Sequence, residues 1–347
     1  MKATSDHEKI MKSIKPFLIL IVFAALFYFY FAVSFKPGTE NSTAPSLPPL
    51  KIACSAWPGF LPAILASEKG YFKDAGVAVR CEYSQNIRQQ LLDFGNGGYD
   101  GAGFALGSLI SLYSKDRGFS VIMATDYSMG ADALIANPPI NSVRDLKGKI
   151  LLINLGSYAE LFIDLALERH SMNRSELTLK SWNDENAAVE KVLNKESDAA
   201  FLWEPYASMA MKNGARSIYS SRDMPGVVTD VFAFRNKIIK ERPDDIKKFV
   251  ECWFRAVEFW SANTEEASLL IARAIESETA AVSLAGIELC GPAANEKAFS
   301  KTGPGGEKNL MSLYDSGKLY IEHYIKLGIY KENIGIEEIL NPAFIKK

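Results

Sequence analysis

The chain has 347 residues, a formal net charge of −2, 23% charged residues and 48% hydrophobic residues. That is ordinary globular composition, and at roughly 150 residues per domain the length points to two domains. The near-neutral balance, with no long run of like charge, argues against nucleic acid as a partner.

The N-terminal segment departs from this. Phe17 to Val33 is an unbroken apolar and aromatic run, and residues 17–35 carry no charge. As a helix, residues 17–35 would span about 28 Å at ~1.5 Å per residue, close to the ~30 Å of a hydrocarbon core. Lys9, Lys12 and Lys15 precede the run, which keeps the tail cytoplasmic and sends the remainder across the membrane. Two readings stand: an uncleaved membrane helix acting as a signal-anchor, or a signal peptide cut near Ala32-Val33-Ser34. The length and aromatic content of the run favour the anchor. Either reading places residues 36–347 outside the cytoplasm, in the periplasm or its equivalent. The mass of the mature protein separates them, since loss of about 34 residues excludes the anchor. Residues 36–49, KPGTENSTAPSLPP, are rich in Pro, Ser and Thr and predict an extended linker.

From residue 50 strand and helix patterns alternate. LKIACSA reads as a strand, Phe60 to Lys69 as a helix stopped by Gly70, and VAVRCEY as a half-buried strand. IRQQLLDFG is a helix, YDGAGFA a strand and LGSLISLYSK a helix. FSVIMATDY, ADALIAN and KILLIN are strands, and SYAELFIDLALERH is an amphipathic helix. ELTLKSW, NAAVEKVLN and DAAFLW complete the alternation as strand, helix and strand. Such alternation predicts an α/β fold with parallel-type sheets and flanking helices. The chain also echoes itself. LLDFGNGGYDGAGFA (91–105) and VLNKESDAAFLWEP (192–205) share a helix, a turn, an Asp and a strand of small residues, which predicts two similar lobes. After Asp230 strands disappear, and residues 244–263, 265–277 and 307–327 read as helices packing back on the first lobe. Lobe 1 is then residues 50–133 and 228–347, lobe 2 is the insertion 134–227, and two crossover strands join them, near DALIAN and near VVTDVFAF.

In open parallel sheets ligands sit beyond the carboxyl ends of the strands, where helix N-termini present free N–H groups. Three such junctions carry Gly, Ser or both: Trp57-Pro58-Gly59 with Phe60 behind it, Leu106-Gly107-Ser108, and Leu155-Gly156-Ser157 followed by Tyr158. An ordinary helix start explains any one of them; three at equivalent ends suggest a shared ligand site. Trp182 ends a lobe 2 strand much as Trp57 ends a lobe 1 strand, and Trp203 is a further ring at a strand end. Arg88 is the one arginine placed near a strand end. Glu204 either faces the cleft or sits at a helix N-terminus, where the dipole favours it. Asp126, with Ser128 two residues on, and Asp230 adjoin the two crossovers with the same ambiguity.

No catalytic set emerges. Gly156-Ser157-Tyr158-Ala159-Glu160 lacks the second glycine of a nucleophile elbow, and GPGGEK at 303–308 lacks P-loop spacing. None of His7, His170 and His323 pairs with an evident nucleophile. Cys54, Cys81, Cys252 and Cys290 show no metal-ligand spacing, so neither metal nor cofactor is expected. Cys54 and Cys81 fall on neighbouring strands, which leaves a disulfide open, although small buried hydrophobes are the better reading.

Taken in order, Trp57 to Pro62, Lys69 to Phe72, Asp100 to Ala102, Ser128 to Ala136, Asp145 to Lys149, Gly156-Ser157 and Asp198 to Tyr206 resemble the substrate-binding proteins of ABC importers in the nitrate/sulfonate/taurine group. The match covers about residues 51–345. The resemblance implies a type II periplasmic-binding fold, a small-molecule ligand closed between two lobes by a hinge, and delivery to a membrane permease driven by an ATPase. It implies a monomeric receptor and not an enzyme. The same superfamily contains thiamine-pyrimidine synthases with a Cys-rich motif, and this chain has no such cluster. An anchored ligand sensor is a second reading, although a cytoplasmic tail of residues 1–16 is too short for a signalling domain. Family analogy suggests a sulfonate as the ligand. The acids and tryptophans instead suit an amine or an aromatic ring. Burying ~150–200 Å² of apolar ligand gives only ~4–5 kcal/mol, whereas micromolar binding needs about 8, so polar groups must contribute.

Overall fold

The computed structural model describes residues 47–182, 184–278, 282–301, 310–331 and 334–345. The expected anchor at 17–35 and nearly all of the linker lie outside the described residues. Among the described residues no helix is long and apolar enough to cross a membrane.

Two sheets organise the chain from Pro49 to Lys347, which forms one unit. The first contains β1 (Leu50–Ser55), β2 (Val79–Ser84), β3 (Gly101–Ala105), β4 (Phe119–Ser128), β10 (Thr229–Arg235) and β11 (Ile287–Leu289), in the order β11-β4-β10-β3-β1-β2. The second contains β5 (Asp132–Ala136), β6 (Ile150–Ile153), β7 (Thr178–Ser181), β8 (Ala199–Trp203) and β9 (Arg216–Ser220), in the order β7-β6-β8-β5-β9. The chain changes sheet between Ser128 and Asp132 and returns between Ser220 and Thr229.

The expectation of parallel-type sheets needs correction, because both sheets are mixed. β1 pairs parallel with β2 and β3, and β6 pairs parallel with β7 and β8. The two strands that arrive from the other half, β5 and β10, run antiparallel to their neighbours. A strand that arrives by crossover enters its sheet at the end the others leave by, so its direction is reversed. A second correction concerns strands after Asp230: β11 adds a short antiparallel edge to β4.

The internal echo has a structural counterpart. The Asp100 carboxylate accepts the backbone N–H of Lys51 at 2.8 Å, and the Asp198 carboxylate accepts that of Ile150 at 2.8 Å. Each acid thus fixes the start of the neighbouring parallel strand, and each is followed directly by a strand that opens on two small residues. Helices α1 (Pro62–Glu68), α2 (Ile87–Gly95) and α3 (Leu106–Tyr113) belong to the first half, and α4 (Ala159–Arg169), α5 (Glu185–Leu193) and α6 (Tyr206–Lys212) to the second. The sequence-predicted helices near 244–263 and 265–277 appear as α7 (Pro243–Ala262) and α8 (Thr264–Ala274). They are followed by α9 (Pro292–Ala298) and α10 (Leu313–Lys326). The apolar face of α7 meets the first sheet through rings: Trp253 lies 5.3 Å from Phe232, and Phe249 lies 5.1 Å from it.

β4 carries an irregularity beside Thr125, where the register with β10 shifts between Asp230–Asp126 and Val231–Ala124. At the other edge β11 reaches only as far as Asp126. Asn295 of α9 takes over there: its Oδ1 accepts the Ala124 N–H at 2.8 Å and its Nδ2 donates to the Ala124 carbonyl at 3.0 Å. Asn295 is fully buried. Asn295→Ala would leave both backbone groups unpaired, and urea unfolding is expected to show a loss of about 2 kcal/mol. A change below ~0.5 kcal/mol would refute this role.

The four cysteines are free thiols, with Cys54, Cys252 and Cys290 buried. The adjacent Cys81 thiol and burial hold Cys54 well above the ordinary thiol range.

Candidate functional site

The two halves enclose a cavity of about 440 Å³. All three glycine- and serine-bearing junctions reach it: Trp57 and Phe60 from the first, Ser108 from the second, and Leu155 to Tyr158 from the third. Phe104, Ala105, Asp132, Trp203 and Asp230 add buried wall, while Arg88 and Lys115 line it from exposed positions. Beside the cavity Ser111 Oγ donates to the Gly156 carbonyl at 3.2 Å, which joins the first half to the second.

The opening junction is built around an acid. Trp57 Nε1 lies 3.1 Å and 3.2 Å from the two carboxylate oxygens of Asp126, and Thr125 Oγ1 donates to Asp126 at 2.9 Å. The indole is therefore fixed at its polar edge, and Trp57 remains in the cavity wall. Gly59 makes room for this contact: a Cβ there would lie 1.8 Å from Asp126 Oδ2. Phe60 is accommodated in the same way, since a Cβ on Gly103 would lie 2.4 Å from its ring.

Cross-strand register explains which acids reach the cavity. In an antiparallel pair, residues directly opposite one another project to the same face. Asp230 of β10 sits opposite Ala105 of β3 and opposite Asp126 of β4. Asp132 of β5 sits opposite Trp203 of β8. Asp230, Ala105, Asp132 and Trp203 all line the cavity, with Asp126 just behind Trp57. Tyr158 closes on Asp132, its hydroxyl donating to Oδ1 at 2.6 Å. Burial pushes the Asp126 carboxyl up to about 7, against the Thr125 and Trp57 hydrogen bonds that favour its charge. Burial likewise raises Asp132 to about 6. Asp230 is held well above the carboxylate range by burial first and then by the charges of Asp126 and Asp132.

Several expected site residues lie outside this lining or are held by contacts of their own. Gly59 and Gly107 are outside the lining; a Cβ on Gly107 would lie 2.4 Å from the Tyr320 ring. Glu204 is not in the cavity wall. It follows the last residue of β8, and its carboxylate accepts Ser208 Oγ at 2.9 Å and the Ser208 N–H at 3.3 Å, on the first turn of α6. Trp182 packs against Trp203 with ring centroids 5.2 Å apart and lines a smaller hollow of about 110 Å³ that shares Arg88 and Asn154 with the main cavity. Ser128 is at the crossover: its Oγ lies 2.7 Å from Ser221 Oγ and accepts the Asp132 N–H at 3.1 Å. Gly156, at φ +79°, donates its N–H to Glu160. Ser157 Oγ donates to the Asn154 carbonyl at 2.7 Å.

The sequence reading overlooked Asp132, Ser111 and Asn154 as site residues. Asp132 had a legible signal, an acid opening a strand, DALIA, that is otherwise wholly apolar. Ser111 and Asn154 had none.

Fold and site define a class: a two-lobed α/β protein with a ligand-sized cavity between its sheets. The chain belongs to the NMT1/THI5-like family, whose model matches residues 57–267. A "putative binding protein" of Brucella abortus is 25% identical over 224 residues, 62% of this chain and 68% of that protein. A "putative aliphatic sulfonates-binding protein" of Bacillus subtilis is 25% identical over 219 residues, 60% of this chain and 64% of its own length. Among solved structures, the periplasmic aliphatic sulphonate binding protein SsuA of Escherichia coli superimposes with a TM-score of 0.69 at 14% identity, covering 86% of this chain and 99% of that one. The desulfurization enzyme DSZB shares the fold at a TM-score of 0.61 and 13% identity, covering 86% of this chain and 98% of its own.

Proposed function

We propose that the protein is an extracytoplasmic solute-binding receptor of an ABC importer. It captures a small organic solute between its lobes and passes it unaltered to a membrane permease driven by an ATPase. The observation that carries this reading is the cavity itself, walled by both halves and bridged by the Ser111–Gly156 hydrogen bond. Family membership and the binding proteins among its relatives support it. The enzyme sharing the fold makes turnover the competing outcome, yet neither Cys nor His is among the described lining residues. The segment 17–35 would tether the receptor near its permease and raise its local concentration there.

Calorimetry against sulfonates, nitrate, pyrimidines and amines tests the reading. One saturable site is expected, with the ligand recovered unchanged by NMR after prolonged incubation; chemical conversion would refute the receptor. Trp57→Ala should weaken whichever ligand binds by about tenfold or more, because it removes both a ring wall and the partner of Asp126. Unchanged affinity would remove Trp57 from the site.

A further inference from the structure

Asp132 opens β5 and is 1% exposed in the cavity wall. Its Oδ1 accepts the Tyr158 hydroxyl, but Oδ2 is buried with no hydrogen-bond partner. A buried carboxylate oxygen left without a donor is costly, and Asp132 belongs to the cavity wall, so a donor brought by whatever fills the cavity would satisfy it. Asp230 places a second buried acid in the same wall, and Asp126 stands behind it. The cations of the lining, Arg88 and Lys115, are both exposed. The buried end therefore offers the Asp132 carboxylate, and its walls are aromatic, formed by Trp57, Phe60, Phe104, Tyr158 and Trp203.

We infer that the solute is a protonated organic amine, its N–H donating to Asp132 Oδ2 and its body enclosed by the rings. This rests on the receptor reading above and narrows its ligand class. An ammonium N–H supplies the missing donor and the opposite charge together, and ring faces attract the cation further. A quaternary ammonium carries the charge without the donor. A sulfonate would bring a second negative charge against the Asp132 carboxylate and could donate nothing to Oδ2. With its carboxyl raised only to about 6, Asp132 is ionised at neutral pH and above.

The test uses the full chain and three probes that share one body: phenethylamine, 2-phenylethanol and 2-phenylethanesulfonate, with butylamine and butanesulfonate as a second series. By thermal shift and calorimetry at about pH 8, where the amines are protonated, each amine should bind at least about tenfold more tightly than its neutral or anionic counterpart. Asp132→Asn should erase that margin while circular dichroism stays unchanged. The wild-type series decides the matter even if the variant fails to fold. Preference for the sulfonates, or an amine preference surviving Asp132→Asn, would overturn the inference and leave the receptor standing. Failure of both series and of the wider panel would overturn inference and receptor together.

Discussion

Replacing Gly59 with alanine is expected to abolish ligand binding and to destabilise the protein by about 3 kcal/mol or more. The new Cβ would lie 1.8 Å from Asp126 Oδ2, 2.4 Å from its Cγ and 2.6 Å from Trp57 Nε1. None of these atoms is the loose end of a long side chain. Asp126 is fully buried on β4 with hydrogen bonds from Trp57 and Thr125, and Trp57 is 5% exposed. Accommodating the methyl means expelling the carboxylate from its donors or pushing the indole into the cavity. Urea unfolding and calorimetry check both consequences. Gly291→Ala is the control, since a Cβ there meets nothing within 4 Å and its φ is −82°. It should change stability by less than ~0.5 kcal/mol. A Gly59→Ala protein as stable and as tightly binding as the parent would refute the close-packed junction.

Acidification is expected to stabilise the ligand-free protein. Asp126 and Asp132, raised to about 7 and about 6, and Asp230, raised well above the usual carboxylate range by burial, bind protons more tightly folded than unfolded. Between the unfolded carboxylate value near ~4 and these folded values the native state therefore holds the extra protons, so stability falls as pH rises through that window. Urea midpoints should climb on going from about pH 8 to about pH 5, by on the order of 2–4 kcal/mol in free energy. Glu185, raised to about 7 by burial, and Glu204, also raised by burial, add in the same sense. Asp126→Asn should flatten the dependence and stabilise the protein at the alkaline end, because the amide needs no proton to be neutral. A stability maximum at alkaline pH, or an unaltered slope in the variant, would contradict the buried-acid account.

Much of the architecture was legible because local patterns report it. The alternation of elements, the two crossovers near DALIAN and VVTDVFAF, and the shared plan around Asp100 and Asp198 all depend on residues close in sequence. Strand direction was not legible, since it depends on which sheet a strand enters and from which end. The site divides along the same line. Trp57, Phe60, Ser108, Ser157, Tyr158 and Asp230 were expected to face ligand and do line the cavity. Of the two places open to Glu204, the structure shows the helix N-terminus, whereas Asp132, which was not singled out, lines the cavity. Each stands at the end of one of a pair of strands, and it is the register Asp132↔Trp203 that sets Asp132 beside a cavity-lining ring, while the Glu204 carboxylate meets Ser208 of α6. A side-chain alternation of two makes a single-residue offset decisive, and nothing in one sequence reports cross-strand pairing.

The hydroxyl contact between Ser128 and Ser221 also bears on motion. The two passages of chain between the sheets are laced together at one level, and Ser221 Oγ additionally accepts the Gly130 N–H at 2.7 Å. A single strap would let one lobe twist or slide against the other. Two straps clasped at the same height leave one easy degree of freedom, a nodding rotation about the line through the clasp, so opening and closing should retrace a single arc.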